Sequence, residues 1–361
     1  MRENVIVGVP RRVEREGRGG RAEIGERRVI VGEDHPHPVE VVALLQDLGE
    51  RGWPVHITVG PEDEILEVRV PLLVRVGRLV REPGRLAVEL VPSHARHELP
   101  LEASEAARFR ELLEESERDG TVLVVTEDDE HRIIDVRRPG PDVLLPRPLP
   151  PRRRPEARGF LTRALDLSWL RDLFEILVWY LFPISYPKAT EVFNALNTLS
   201  CAPLTVPPPC IPFRYPDDGC WGRAHEMCRL MKGMSVPVRK VWIEGWLGPK
   251  TRNHPSCEVH WGWHVAPTVR VRRKFWLLLF TATHVIDPAL FTSPVLQSTW
   301  QDVQNDPNST LTPSGSRIFY LWGSITDDDN SQTEGVLATY RSLLQARSLS
   351  SVGPPPYAHC P

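Results

Sequence analysis

Pro216-Asp217-Asp218-Gly219-Cys220-Trp221-Gly222-Arg223-Ala224-His225-Glu226-Met227 is the stretch on which the reading of this chain turns. Pro-Asp-Asp-Gly is turn chemistry. The residues after it read as a helix, because Ala224, Met227, Leu230 and Met231 recur at helical spacing and no proline follows until Pro237. Cys220 is therefore expected in the first helical turn. Unpaired backbone N–H groups and the positive end of the helix dipole favour an anion there, so this thiol is expected to ionise more easily than a free one.

A thiolate needs a base, and the base needs a group that orients it. Two later stretches offer them. Glu258-Val259-His260-Trp261-Gly262-Trp263-His264-Val265-Ala266 alternates and is rich in aromatic residues, as a strand is, and it carries His264. His284-Val285-Ile286-Asp287-Pro288-Ala289-Leu290-Phe291 is an apolar run that meets a carboxylate just before a proline. Proline cannot continue a ladder, so Asp287 is expected at a strand end. Val236 to Trp246 reads as the first strand of the same sheet. The His264 and Asp287 strands are expected to pair across a turn near Val271-Arg272-Arg273-Lys274, which would set both side chains on one face. His260 is the near rival of His264. His225 lies about 140° round the helix from Cys220 and is expected to bond elsewhere.

Cys210-Ile211-Pro212-Phe213-Arg214-Tyr215-Pro216, the Gly219-Cys220 helix start with Arg223-Ala224-His225 and Met227, Trp263-His264-Val265-Ala266, and Ile286-Asp287-Pro288-Ala289-Leu290-Phe291 together resemble the bacterial protein-glutaminase family, over roughly residues 187 to 347. Members of that family deamidate glutamine side chains in proteins, on a fold related to transglutaminases and papain-like cysteine proteases. The resemblance implies an α+β domain of papain/transglutaminase-like cysteine hydrolase type. Cys220 would be its nucleophile, His264 its general base and acid, and Asp287 the residue that orients the histidine. It implies protein or peptide substrates with accessible glutamine, and it calls for no cofactor. It also suggests a disulfide between Cys201 and Cys210, which bracket a proline-rich loop. The N–H of Cys220 or Trp221 is the natural oxyanion donor, and Trp221 and Trp263 are expected to wall the cleft. Cys228 departs from the family and reads as a buried or half-buried thiol.

The 361 residues suffice for two ordinary domains. Residues 1 to 138 read as a separate small α/β or α+β domain of short β-branched runs with helices at Val39 to Leu48 and Glu102 to Glu117. Residues 139 to 158 form a proline- and arginine-rich linker, and residues 159 to 361 the catalytic domain, with a tail from Gly353 expected to be disordered. Arg152-Arg153-Arg154 offers a protease-sensitive site, though a plain solvated spacer is the preferred reading. The N-terminal domain is a candidate inhibitor or substrate adaptor. Arg11 to Arg28, rich in glycine and arginine, reads as a mobile loop. Thr121-Val125 and Ile133-Val136 read as a hairpin around an acidic, solvated turn.

No metal is expected. His35, His37, His56, His94 and His97 have no cysteine partners or His-Glu-x-x-His spacing and read as surface or loop residues. Cys257 with His254, His260 and His264 lacks the paired Cys-x-x-Cys of a zinc site. A net charge of −3 gives no basic surplus for nucleic acid. Leu167 to Tyr186, with Arg171, Asp172, Glu175 and Pro183, is an amphipathic helix rather than a membrane span. No secretory signal is visible at the start, which leaves a cytoplasmic protein or export by another route. The first of the six cysteines is Cys201, so an oxidising destination for the second half fits as well as a reduced one. The competing activities are acyl transfer of transglutaminase type, a papain-like protease, whose assisting Gln and Asn are not recognisable, and a non-catalytic interaction module.

Overall fold

The computed structural model describes residues 4–145, 168–275 and 278–361. It is a mixed α/β protein in two compact units, one of Met1–Leu149, Cys201–Pro208 and Ala338–Ala358, the other of Pro150–Ser200, Pro209–Leu337 and His359–Pro361.

The first unit runs β1 (Asn4–Gly8), β2 (Pro10–Glu16), β3 (Gly19–Ile24), β4 (Arg27–Val31), α1 (Pro38–Glu50), β5 (Val55–Val59), β6 (Ile65–Arg69), β7 (Leu72–Glu82), β8 (Arg85–Val91), β9 (His97–Pro100), α2 (Ala106–Asp119), β10 (Leu123–Glu127) and β11 (Ile133–Arg137). Its sheets are ordered β1-β5-β6, β2-β3-β4 and β11-β10-β7-β8-β9. Helix α1 starts at a proline whose fixed φ suits a first turn, and it buries Val41, Val42, Leu44, Leu45 and Leu48. Helix α2 stops at Gly120, whose φ of 77° is the left-handed conformation that glycine adopts without strain. Arg11 to Arg28 is not a loop. It pairs as β2, β3 and the start of β4, with Ala22 and Ile24 turned inward, an alternation hidden by the surrounding arginines and glycines. The reading of the histidines also needs correction, since His56, His94 and His97 are all buried.

The second unit contains α3 (Ser168–Leu181), β12 (Ile184–Ser185), α4 (Tyr186–Asn197), α5 (Cys220–Gly233), β13 (Arg239–Leu247), β14 (Trp261–Phe275), β15 (Leu278–Val285), β16 (Val295–Leu296), α6 (Gln297–Asp302), β17 (Thr310–Gly315), β18 (Ile318–Tyr320) and β19 (Ile325–Thr326), and α7 (Ser331–Leu349) follows. Its main sheet is ordered β16-β15-β14-β13-β17, with β12 beside β14. Ala189, Val192, Phe193 and Leu196 of α4 pack with Met227, Cys228 and Met231 of α5 and with Val269 and Val271 of β14. That apolar packing seats α5 on the sheet.

The turn expected at 271–274 is absent. Strand β14 runs through those residues, with Val271 opposite Ala282 and Arg272 opposite Thr281, because Arg270 and Arg272 on one face do not interrupt a ladder whose other face buries Val269 and Val271. The tail expected to be disordered is anchored as well. Cys360 is disulfide-bonded to Cys257, His359 Nε2 donates to the Pro255 carbonyl at 2.8 Å, and Tyr357 is buried. Most of the expected linker, and Leu167 at the start of the expected amphipathic helix, lie outside the described residues. Among the described residues no helix is long and apolar enough to cross a membrane.

Candidate active site

The Pro216-Asp217-Asp218-Gly219 turn is fixed from within. Gly219, with a φ of 79°, takes the left-handed conformation ahead of α5, and its N–H donates to Asp218 Oδ1 at 2.9 Å. The Arg223 guanidinium, 2% exposed, turns back beneath the loop and donates to the carbonyls of Tyr215 (2.9 Å), Pro216 (3.4 Å) and Asp218. Asp217 meets His254 Nε2 at 3.2 Å, and its carbonyl accepts from Trp261 Nε1 at 2.9 Å. Gly222 has to be glycine, since a Cβ there would come within 2.5 Å of Val336 Cγ1. These contacts position Cys220 at the first residue of α5.

The three residues expected to converge do so. Cys220 Sγ and a ring nitrogen of His264 lie within 4.8 Å of each other. His264 stands on β14 opposite Ile243 of β13, and its Nε2 meets Asp287 Oδ2 at 2.9 Å. With Nε2 engaged by the carboxylate, Nδ1 is the nitrogen left for the sulfur. Asp287, just past the end of β15, also accepts from Trp300 Nε1 at 3.0 Å and from the Ala289 N–H at 3.3 Å. The His264 ring is stacked on Trp261, with centroids 4.3 Å apart, and lies near-parallel to Trp300 at 5.6 Å. Carboxylate and indoles together leave the imidazole one orientation.

Charge in this site is governed by burial. Burial pushes the Cys220 thiol well above its ordinary value, Arg223 opposing and Asp218 adding to the rise. The expectation that the helix start lowers it is thus corrected: at 1% exposure the loss of water outweighs a partial backbone charge. Burial also pulls His264 down, against the pull of Asp287 the other way. Burial alone would raise Asp287, yet His264, the bond from Trp300 and Arg223 hold it below the usual carboxylate value. Burial therefore disfavours both charged forms, the thiolate and the imidazolium.

The other candidates fall elsewhere. His260 has a 54% exposed side chain and pairs with Glu258 at 3.4 Å. His225 Nε2 donates to the Asp327 carbonyl at 3.2 Å and its Nδ1 accepts from Lys240 at 3.1 Å, as the helix geometry implied. Cys228 is a buried thiol, pushed up to about 11 by burial. The alternative zinc reading fails, since Cys257 is held in its bond to Cys360. Cys201 and Cys210 are both disulfide-bonded. Trp221 and Trp263, 5.8 Å apart, belong to an aromatic group with Tyr320, Trp242 and Trp322. Trp261, like Trp221 and Trp263, is expected from the sequence as core or cleft wall; sequence reasoning missed its stacking on His264, the bond from Trp300 to Asp287 and the loop-holding role of Arg223. The only signal for Arg223 was its place in the quoted motif.

Residues 189–304 match the family model described as glutaminase. Among solved structures, the chain is similar to pro-protein-glutaminase at 20% identity, over 80% of this chain and 97% of that one, with a TM-score of 0.48. It is also similar to protein-glutaminase from Chryseobacterium proteolyticum at 27% identity, over 42% of this chain and 84% of that one, with a TM-score of 0.37. No curated protein matches the chain.

Proposed function

We propose that this chain is a cysteine amidohydrolase that converts glutamine residues of proteins to glutamate and releases ammonia. The match of residues 189–304 to the glutaminase model supports the reaction class. The observation that carries the mechanism is the convergence of Cys220, His264 and Asp287 from a helix start, a strand and the end of the next strand. The second unit would accordingly be a hydrolase domain of papain/transglutaminase type.

Cys220 Sγ attacks the carboxamide carbon while His264 Nδ1 takes the thiol proton, so no free thiolate has to persist in a buried place. The C=O π electrons move to oxygen, and the N–H groups of Cys220 and Trp221 at the helix start are the donors for that oxyanion. His264 then protonates the nitrogen, the C–N bond breaks, and ammonia leaves a thioester on Cys220. Water attacks the thioester carbon as His264 takes one of its protons, the C–S bond breaks, and the sulfur recovers its proton. Asp287 stabilises the imidazolium that forms twice in this cycle. Trp221 and Trp263 serve as walls for the aliphatic stem of the glutamine. An amine in place of water would give transglutaminase-type transfer through the same intermediate.

A protein substrate cannot reach Cys220 at 1% exposure, so activity requires an opening. The N-terminal unit is proposed as an inhibitor or a substrate adaptor, and cleavage near Arg152-Arg153-Arg154 is the candidate release. The disulfide-bonded cysteines support an oxidising destination. The test is ammonia release from a glutamine-rich protein, with the whole chain and with chain nicked in the linker. Nicked wild type should release ammonia and nicked Cys220→Ala none; equal release by the two would overturn the proposal.

A further inference from the structure

The five-stranded sheet β11-β10-β7-β8-β9 has β9 and β11 at its two ends, and the chain joins those ends. The Glu98 N–H donates to the His131 carbonyl at 3.1 Å, and Glu98 bridges to Arg132. Three side chains meet at this seam. His97 Nδ1 lies 2.6 Å from Glu127 Oε2 and His131 Nδ1 lies 2.8 Å from Glu127 Oε1, so one carboxylate spans two imidazoles through different oxygens. Their side chains are 0%, 9% and 6% exposed for His97, Glu127 and His131. The donor atoms all lie within 4.8 Å of one another.

We propose that His97, Glu127 and His131 form a binding site for a zinc-class divalent cation, distinct from Cys220 and its partners. Two imidazoles and one carboxylate are the donor set that a borderline cation prefers, whereas calcium and magnesium require a shell dominated by oxygen. A cation at about 2.0–2.2 Å from each donor spaces tetrahedral donors by roughly 3.3–3.6 Å, so modest shifts from the observed separations would admit it. A partner for the far side of one ring is in place, with Ser93 Oγ 2.8 Å from His97 Nε2 and also accepting from the Ala95 N–H at 3.1 Å. The Ser93 hydroxyl can donate to Nε2 while Nδ1–H points at Glu127. It can instead accept from Nε2–H when Nδ1 turns its lone pair to a cation, which is how outer partners select a metal-binding tautomer. His131 holds a φ of 59°, the left-handed region that histidine enters more often than most side chains, and its N–H donates to the Asp128 carbonyl. A bound cation would tie the two ends of the sheet together and leave one coordination position to water.

The experiment uses the full Cys220→Ala chain with its disulfides intact, so that the active-site thiol and the disulfide-bonded cysteines do not compete for metal and the remaining thiol, Cys228, is buried. Titration with Co²⁺ should give visible d–d absorption that saturates at one ion per chain, and Zn²⁺ should displace it and raise the unfolding midpoint. His97→Gln and His131→Gln in the same background should each weaken Co²⁺ binding by about tenfold or more. Absence of both the absorption and the midpoint shift in the Cys220→Ala chain would overturn the proposal, whether or not the variants fold. Undiminished binding in a folded chain carrying both glutamines would do the same.

Discussion

Replacing Asp287 by asparagine keeps the shape of the side chain and removes its charge. Oδ2 accepts from His264 Nε2 at 2.9 Å and from Trp300 Nε1 at 3.0 Å, while Oδ1 accepts from the Ala289 N–H at 3.3 Å. An amide that keeps both bonds on its oxygen must set its NH₂ against the Ala289 N–H, so it gives up the longest of the three. Charge-assisted hydrogen bonds contribute about 1.5–3 kcal/mol against about 1 for neutral ones, so two such bonds lose about 1–4 kcal/mol, centred on roughly 2–3, of support for the imidazolium. At about 1.36 kcal/mol per tenfold, Asp287→Asn should lower kcat/KM for ammonia release about 30- to 150-fold. Trp300→Phe removes one donor and should cost only about fivefold, from roughly 1 kcal/mol. Burial already holds His264 below its ordinary value while Asp287 pulls it up, so loss of that charge should move the acid limb of the pH profile to lower pH. Asp287→Asn activity within twofold of wild type, or an acid limb moving upward, would refute the roles assigned here.

Cys220 in the intact chain should resist iodoacetamide at neutral pH, because it is buried with a raised pKa; nicking the linker should speed its labelling, and mass spectrometry should find equal rates if the N-terminal unit has no inhibitory part. Burial, then Arg137 and Arg69, hold His56 down from 6.5 to about 4. The unfolded chain then takes up this proton first as pH falls, so the stability is present above 6.5 and about 3 kcal/mol of it is lost on the way to about 4. Denaturant unfolding of wild type and His56→Gln across that window should show the loss in wild type only. Cys360→Ser opens a bond between residues 103 apart in sequence and should cost roughly 3–4 kcal/mol, read as a lower unfolding midpoint in the absence of reducing agent.

The positions of Cys220, His264 and Asp287 were legible because each sits where local grammar changes: a turn into a helix, an aromatic strand, a carboxylate before proline. Their neighbours were not. Trp300 lies on a six-residue helix with no periodicity to read, and its bond to Asp287 exists only once β15 and α6 are folded together. The protonation of Cys220 was misjudged because helix position is a sequence property and burial is not. Arg272 and Arg273 hid the continuity of β14 in the same way that the arginines near the start hid β2 and β3. The Cys257–Cys360 bond was out of reach because cysteine number does not determine pairing.

The most direct test of the central claim is to incubate nicked chain with a glutamine-rich protein in ¹⁸O-labelled water and map the product by mass spectrometry. Hydrolysis of a Cys220 thioester puts one heavy oxygen into the new glutamate side chain at former glutamine positions, and Cys220→Ala should give none. Isopeptide cross-links without labelled glutamate, backbone cleavage, or unchanged labelling by Cys220→Ala would contradict the account.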